Sequence, residues 1–153
     1  MDRTRDLAQG LSRVENKLSN QEFVVLTLQP TVTAETFAAN DVWFASTELP
    51  KAVVAGRGAL IKSITVIDDD AQSIVGSSED NTHAENQTIL GEVEIPAASY
   101  VALATSTIAT VTGIDLVVQP ANNETSLYIF GHTDGTPSYT AAALTIRIGL
   151  QRL

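Results

Sequence analysis

Three consecutive aspartates, Asp68, Asp69 and Asp70, are the densest set of hard oxygen donors in the chain, and they close the run "GALIKSITVIDDD". Calcium takes six to eight oxygens from carboxylates and carbonyls on a flexible loop. Adjacent acids at the end of a strand also suit a bland role, as a solvated turn in which Asp side chains cap backbone N–H groups. The spacing here has no central glycine and no distant glutamate of the EF-hand kind, so the expected reading is the wet turn, with calcium at Asp68–Asp70 as its alternative.

Other reactive groups are sparse. His83 and His132 are the two histidines, and neither has a second donor at a metal-ligand spacing such as H-x-x-x-H, so both are expected at exposed loops or strand ends. There is no cysteine, which removes thiol nucleophiles, zinc-thiolate sites and disulfides from consideration. The sequence has no G-x-S-x-G elbow, and "GRG" at Gly56–Gly58 is too short to cradle phosphate and reads as a turn. Asn86-Gln87-Thr88 and Asn123-Glu124-Thr125 match the glycosylation acceptor but read as polar loop text. No cofactor and no catalytic residue is expected; the chain reads as a non-enzyme.

The elements that would position these groups follow from composition and period. The 153 residues fit one domain with a substantial core. Hydrophobic residues reach 44% while aromatics are only 5%, so Val, Ile, Leu and Ala must fill that core, and the β-branched share favours strands. A net charge of −9 opposes phosphate backbones and anionic lipid, so neither nucleic acid nor a membrane is expected as a partner. The opening "MDRTRDLAQG" is charged where a signal peptide would be apolar.

Residues 1–21 read as an amphipathic arm. Leu7, Leu11, Val14 and Leu18 recur at spacings of four, three and four, the stripe of a short helix, while Asp6, Arg13, Glu15 and Lys17 lie off it. A lone helix of that length is marginal in water, so the stripe must rest on something: its own domain or a neighbouring subunit.

From residue 22 to 153 the texture is that of an antiparallel β-sandwich, short apolar runs broken by Pro, Gly, Asn and Asp. Candidate strands are Phe23–Leu28, Asp41–Ser46, Lys51–Ala55, Ala59–Ile67, Gln72–Gly76, Ile89–Glu94, Tyr100–Thr107, Ile114–Val118, Ser126–Phe130 and Ala142–Leu150. Alternation is clearest in the last, with Leu144, Ile146, Ile148 and Leu150 on one face. In "GALIKSITVIDDD" strict parity puts Leu60, Lys62, Ile64 and Val66 on one face and Ile61, Ser63, Thr65 and Ile67 on the other, so its outer side also carries apolar groups for a second surface. Trp43 and Phe44, being adjacent, are expected to face opposite sides, with Trp43 buried. "SSEDNTHAENQ", Ser77 to Gln87, reads as an exposed loop, and "TDGTPSY" as a turn before the last strand.

Taken in series, "VWFASTELPKAVVAGRGALIKSITVIDDDAQ", "ILGEVEIPAASYV", "TGIDLVVQP" and "SLYIFGHTDGTPSYTAAALTIRIGL" resemble the head decoration (cement) proteins of tailed bacteriophages and related small virion structural proteins. The resemblance spans Asp41 to Leu150 and is most specific over Leu127 to Gly149; the stretch "AQSIVGSSEDNTHAEN" departs from the family's pattern. It implies an all-β, jelly-roll β-sandwich that assembles, usually as a homotrimer, on the outer surface of the capsid after synthesis in the host cytoplasm. The partner it implies is the major capsid protein, and the arm of Leu7, Leu11, Val14 and Leu18 is then the first candidate contact. The rival expectation is a receptor-binding or fibre-head domain that uses the same sandwich to hold glycan.

Overall fold

The computed structural model describes residues 22–39, 41–69, 90–120, 123–133, 135–136, 138 and 144–153. Seven strands and one single-turn helix at Ala97–Ser99 make up this part, so the described residues form an all-β structure. The strands are β1 (Phe23–Leu28), β2 (Val42–Leu49), β3 (Ala59–Asp68), β4 (Tyr100–Ala102), β5 (Thr107–Val118), β6 (Leu127–His132) and β7 (Leu144–Arg152). They form two antiparallel sheets, one in the order β1-β7-β3-β5-β4 and one pairing β2 with β6.

Both sheets feed one apolar core. Leu28 of β1, Trp43, Phe44 and Leu49 of β2, Ile61 and Val66 of β3, Leu127 of β6 and the inner face of β7 belong to a single buried cluster. The period-two reading of β7 is met in full, since Leu144, Ile146, Ile148 and Leu150 are all buried and Arg147 is exposed. Each such side chain removed from water is worth roughly 1.5–3 kcal/mol. Buried Thr133 ties the end of β6 to the approach to β2: its hydroxyl donates to the Ala38 carbonyl at 2.8 Å and its N–H to the Asp41 carbonyl at 2.9 Å.

β3 departs from strict parity. Its register against both neighbours shifts between Ile61 and Ser63. Between those two residues β7 advances one position, from Leu150 to Gly149, so Lys62 is the extra residue of a bulge on that side. A bulge flips the faces beyond it: Ala59 and Ile61 are buried before the shift, Val66 and Asp68 after it, and Leu60 shares a face with Ser63, Thr65 and Ile67. Opposite Lys62, β5 spends residues 113–115 on the same interval, with Gly113 and Asp115 both at positive φ (70° and 52°). "TGID" therefore bends a continuous twelve-residue strand where a strand start at Ile114 was expected.

Three other expected strands differ. Lys51–Ala55 is a turn, opened by Lys51 at φ 57°, and it delivers Ala52 and Val53 into the core while the Val53 N–H is satisfied by the Thr125 carbonyl at 3.1 Å. Residues 90–94 run without strand pairing, with Gly91 pressed on the Leu116 side chain. Tyr100–Thr107 splits into β4 and the start of β5, because the Leu103 N–H turns back to the Ser106 carbonyl at 2.7 Å. Gln72–Gly76, the Ser77–Gln87 loop and the arm lie outside the described residues.

Trp43 and Phe44 both face the core, contrary to the alternation expected for neighbours. The β2–β6 register slips between Val42 and Phe44, and the two rings meet edge to face with centroids 5.3 Å apart. Gly131 makes room: a Cβ there would stand 2.3 Å from Cε1 of Phe44.

Candidate functional site

Of the acidic turn expected to be a wet strand end, Asp69 is exposed but Asp68 is not. Asp68 closes β3 on its inner face, fully buried, in register with Thr107 of β5 and Leu144 of β7, because the bulge at Lys62 has reversed the faces before the strand ends. Asp69, one residue on, is exposed, and Asp70 lies outside the described residues. Asp68 and Asp69 thus differ in environment from one residue to the next and do not converge on one point. Among the described residues no three His, Asp or Glu side chains come close enough to hold a metal ion.

Asp68 and Thr107 are the polar floor of the core at this end of the sheet, and Tyr100 of β4 packs beside them. The Tyr100 phenol is pushed well above its ordinary range, first by burial and second by the charge of Asp68. Its oxygen is buried without a hydrogen-bond partner. A neutral phenol beside a buried carboxylate holds its proton tightly, the opposite of what a general base or nucleophile requires. His132 ends β6 half-buried and opposite Val42, while His83 lies outside the described residues. The turn at "GRG" is present: Gly56 has φ 71° and the Arg57 N–H returns to the Val54 carbonyl at 2.9 Å.

What the strands do bring together is a surface. The outward side of the five-stranded sheet is laid out by register in four rows. At one end Val101, Ile108 and Ile67 align across β4, β5 and β3. The next row is Thr110, Thr65, Arg147 and Thr27, where the Thr65 and Thr110 hydroxyls bond at 3.1 Å. Then come Thr112, Ser63, Gly149 and Val25, and finally Val117, Leu60, Gln151 and Phe23. Phe23, Val25, Val101 and Val117 stand 58–60% exposed. Arg147 is the one formal charge in these rows, and the Lys62–Asp115 ion pair at the bulge cancels itself. In a chain with eighteen acids this face has been kept free of unpaired carboxylates.

The sequence signals the apolar outer side of β3, but the bulge changes its membership, and Phe23, Val25 and Val117 join it only through strand order. The arm residues Leu7, Leu11, Val14 and Leu18 lie outside the described residues. Compared with protein-family models, with characterised proteins and with solved structures, the chain matches none.

Proposed function

We propose that this chain is a virion structural protein, a jelly-roll decoration protein that binds between major capsid protein subunits on the outside of a phage head and stabilises it. The observation that carries the reading is the nested strand pairing. β1 pairs with β7 and β2 with β6, and each step from β1 to β2 to β3 and from β5 to β6 to β7 passes from one sheet to the other. A meander would pair neighbours in sequence; nested pairing across two sheets is the pattern of a jelly roll, an architecture used by viral capsid and lectin domains. The resemblance of Leu127–Gly149 to phage cement proteins falls on β6 and β7, one strand from each sheet.

The chemistry agrees in kind. Clamping a shell needs buried area, roughly 800 Å² per partner, and no reacting group. Assembly as a homotrimer multiplies a weak contact through avidity on a symmetric lattice.

The lectin-like use of a jelly roll supports a second reading, a glycan-binding fibre head. Antibody raised against the purified chain and imaged on intact particles separates the two. Label over the head surface is the expected result; label confined to tail or fibre tips transfers the protein to the second reading, and unlabelled particles remove it from the virion.

A further inference from the structure

We propose that residues 1–21 of the same chain cover the outer face of the five-stranded sheet, with Leu7, Leu11, Val14 and Leu18 turned onto it. The proposal stands apart from the capsid reading and rests on where the segment joins, its length, its charge and the area on offer.

The segment enters the described structure at a corner of that face. Glu22 is held there twice by Arg152, backbone N–H to carbonyl at 2.9 Å and guanidinium to carboxylate at 2.5 Å, and the next residue is exposed Phe23, whose ring lies over Gly149. The inner face of the sheet is already occupied by the core shared with β2 and β6. Ser19, Asn20 and Gln21 reach up to about 10 Å, enough to step from the edge strand onto its outer side.

Length fits next. Wound as a helix, Leu7 to Leu18 spans about 17 Å. The distance along β3 from the row of Leu60 to the row of Ile67 is about 20 Å. Running antiparallel to β1, the segment sets Leu18 near the Phe23–Leu60 row and Leu7 near the Ile67–Ile108 row, the two apolar ends of the face. Four strands measure about 14 Å across, so the face offers on the order of 300 Å² in plan. A single helix about 10 Å wide covers most of it, whereas a stable interface with another protein wants roughly 800 Å² per partner.

Charge agrees as well. Residues 1–21 hold four basic and three acidic residues (net +1), leaving five basic and fifteen acidic for the rest (net −10). The segment is therefore attracted to the body it is tethered to.

The test uses the full chain, which has no cysteine, so Asn16→Cys on the polar side of the stripe takes a single nitroxide. The expected result is loss of the amide resonances of Thr65, Thr110 and Arg147 with retention of those of Glu48 and Tyr128 in the other sheet. It should vanish when Leu11→Asp is added, and be absent from mixtures in which the nitroxide and the isotope label are on different chains. Unbroadened outer-face resonances, or broadening seen equally in the mixed-chain sample, would overturn the assignment; the latter would give the face to the segment of a second copy.

Discussion

The Lys62 ammonium meets the Asp115 carboxylate where β3 and β5 lose register, at the bulge that reverses which residues of β3 face the core. Both side chains are more than a third exposed, so the ion pair itself is worth about 0–1 kcal/mol. The backbone matters more, because Asp115 sits at φ 52°, which Asp tolerates and a β-branched residue does not. Lys62→Met should therefore move the urea midpoint little, while Asp115→Val should cost about 1–3 kcal/mol and Asp115→Gly much less. Equal losses for Val and Gly would place the stabilisation in the ion pair.

Gly131 is required by Phe44. An added methyl meets a buried aromatic ring at 2.3 Å, so Gly131→Ala should destabilise by about 1–3 kcal/mol in chemical denaturation. Gly135, with open space around it, should accept Ala without loss. Pairing Gly131→Ala with Phe44→Leu should recover part of the cost; strictly additive losses would show that the two positions do not meet.

Tyr100 gives the fold a particular alkaline sensitivity. Its folded-state pKa is raised, so in the unfolded chain the phenol ionises first, near pH 10, while the native phenol keeps its proton. The contribution is fully present below pH 10 and is lost as pH climbs toward the folded value, at up to about 1.4 kcal/mol per pH unit. Stability curves of wild type and Tyr100→Phe should run parallel at neutral pH and diverge above pH 10, with the variant falling less steeply. Parallel curves throughout would mean that Tyr100 titrates freely.

Asp68 is a structural carboxylate, closing the core rather than facing solvent. Asp68→Ala should lower stability by about 1–3 kcal/mol by stranding its buried surroundings. Calcium added to the wild type at millimolar concentration should leave the melting temperature unchanged; a rise of several degrees at sub-millimolar calcium would restore a cation site at the acidic turn.

The purified chain should scatter light as a species of three times 16.2 kDa. A monomer at all concentrations would remove the trimer from the proposed assembly.

Where one period ran unbroken, structure was legible in sequence: Phe23–Leu28 forms as expected, and β7 buries all four alternate apolar residues. It was not legible where a single residue changed the phase. One bulge at Lys62 moved Leu60 off the face of Val66 and put buried Asp68 on the same side as Ala59 and Ile61, and a slip beside Trp43 let two adjacent aromatics point inward. Nor does an apolar run announce its backbone, since "KAVVA" is buried as a turn rather than a strand. The outer face could not be read from sequence because its rows are assembled from four strands distant along the chain, and only pairing order brings Phe23 beside Gln151 and Leu60 beside Val117.

The most direct measurement of the proposed decoration role adds the purified chain to phage heads that lack it and follows co-sedimentation. Saturable binding at a fixed ratio to the major capsid protein, with heads that then withstand higher temperature, is the predicted result. Heads that sediment without the chain at concentrations well above micromolar, with unchanged thermal resistance, would contradict the decoration role.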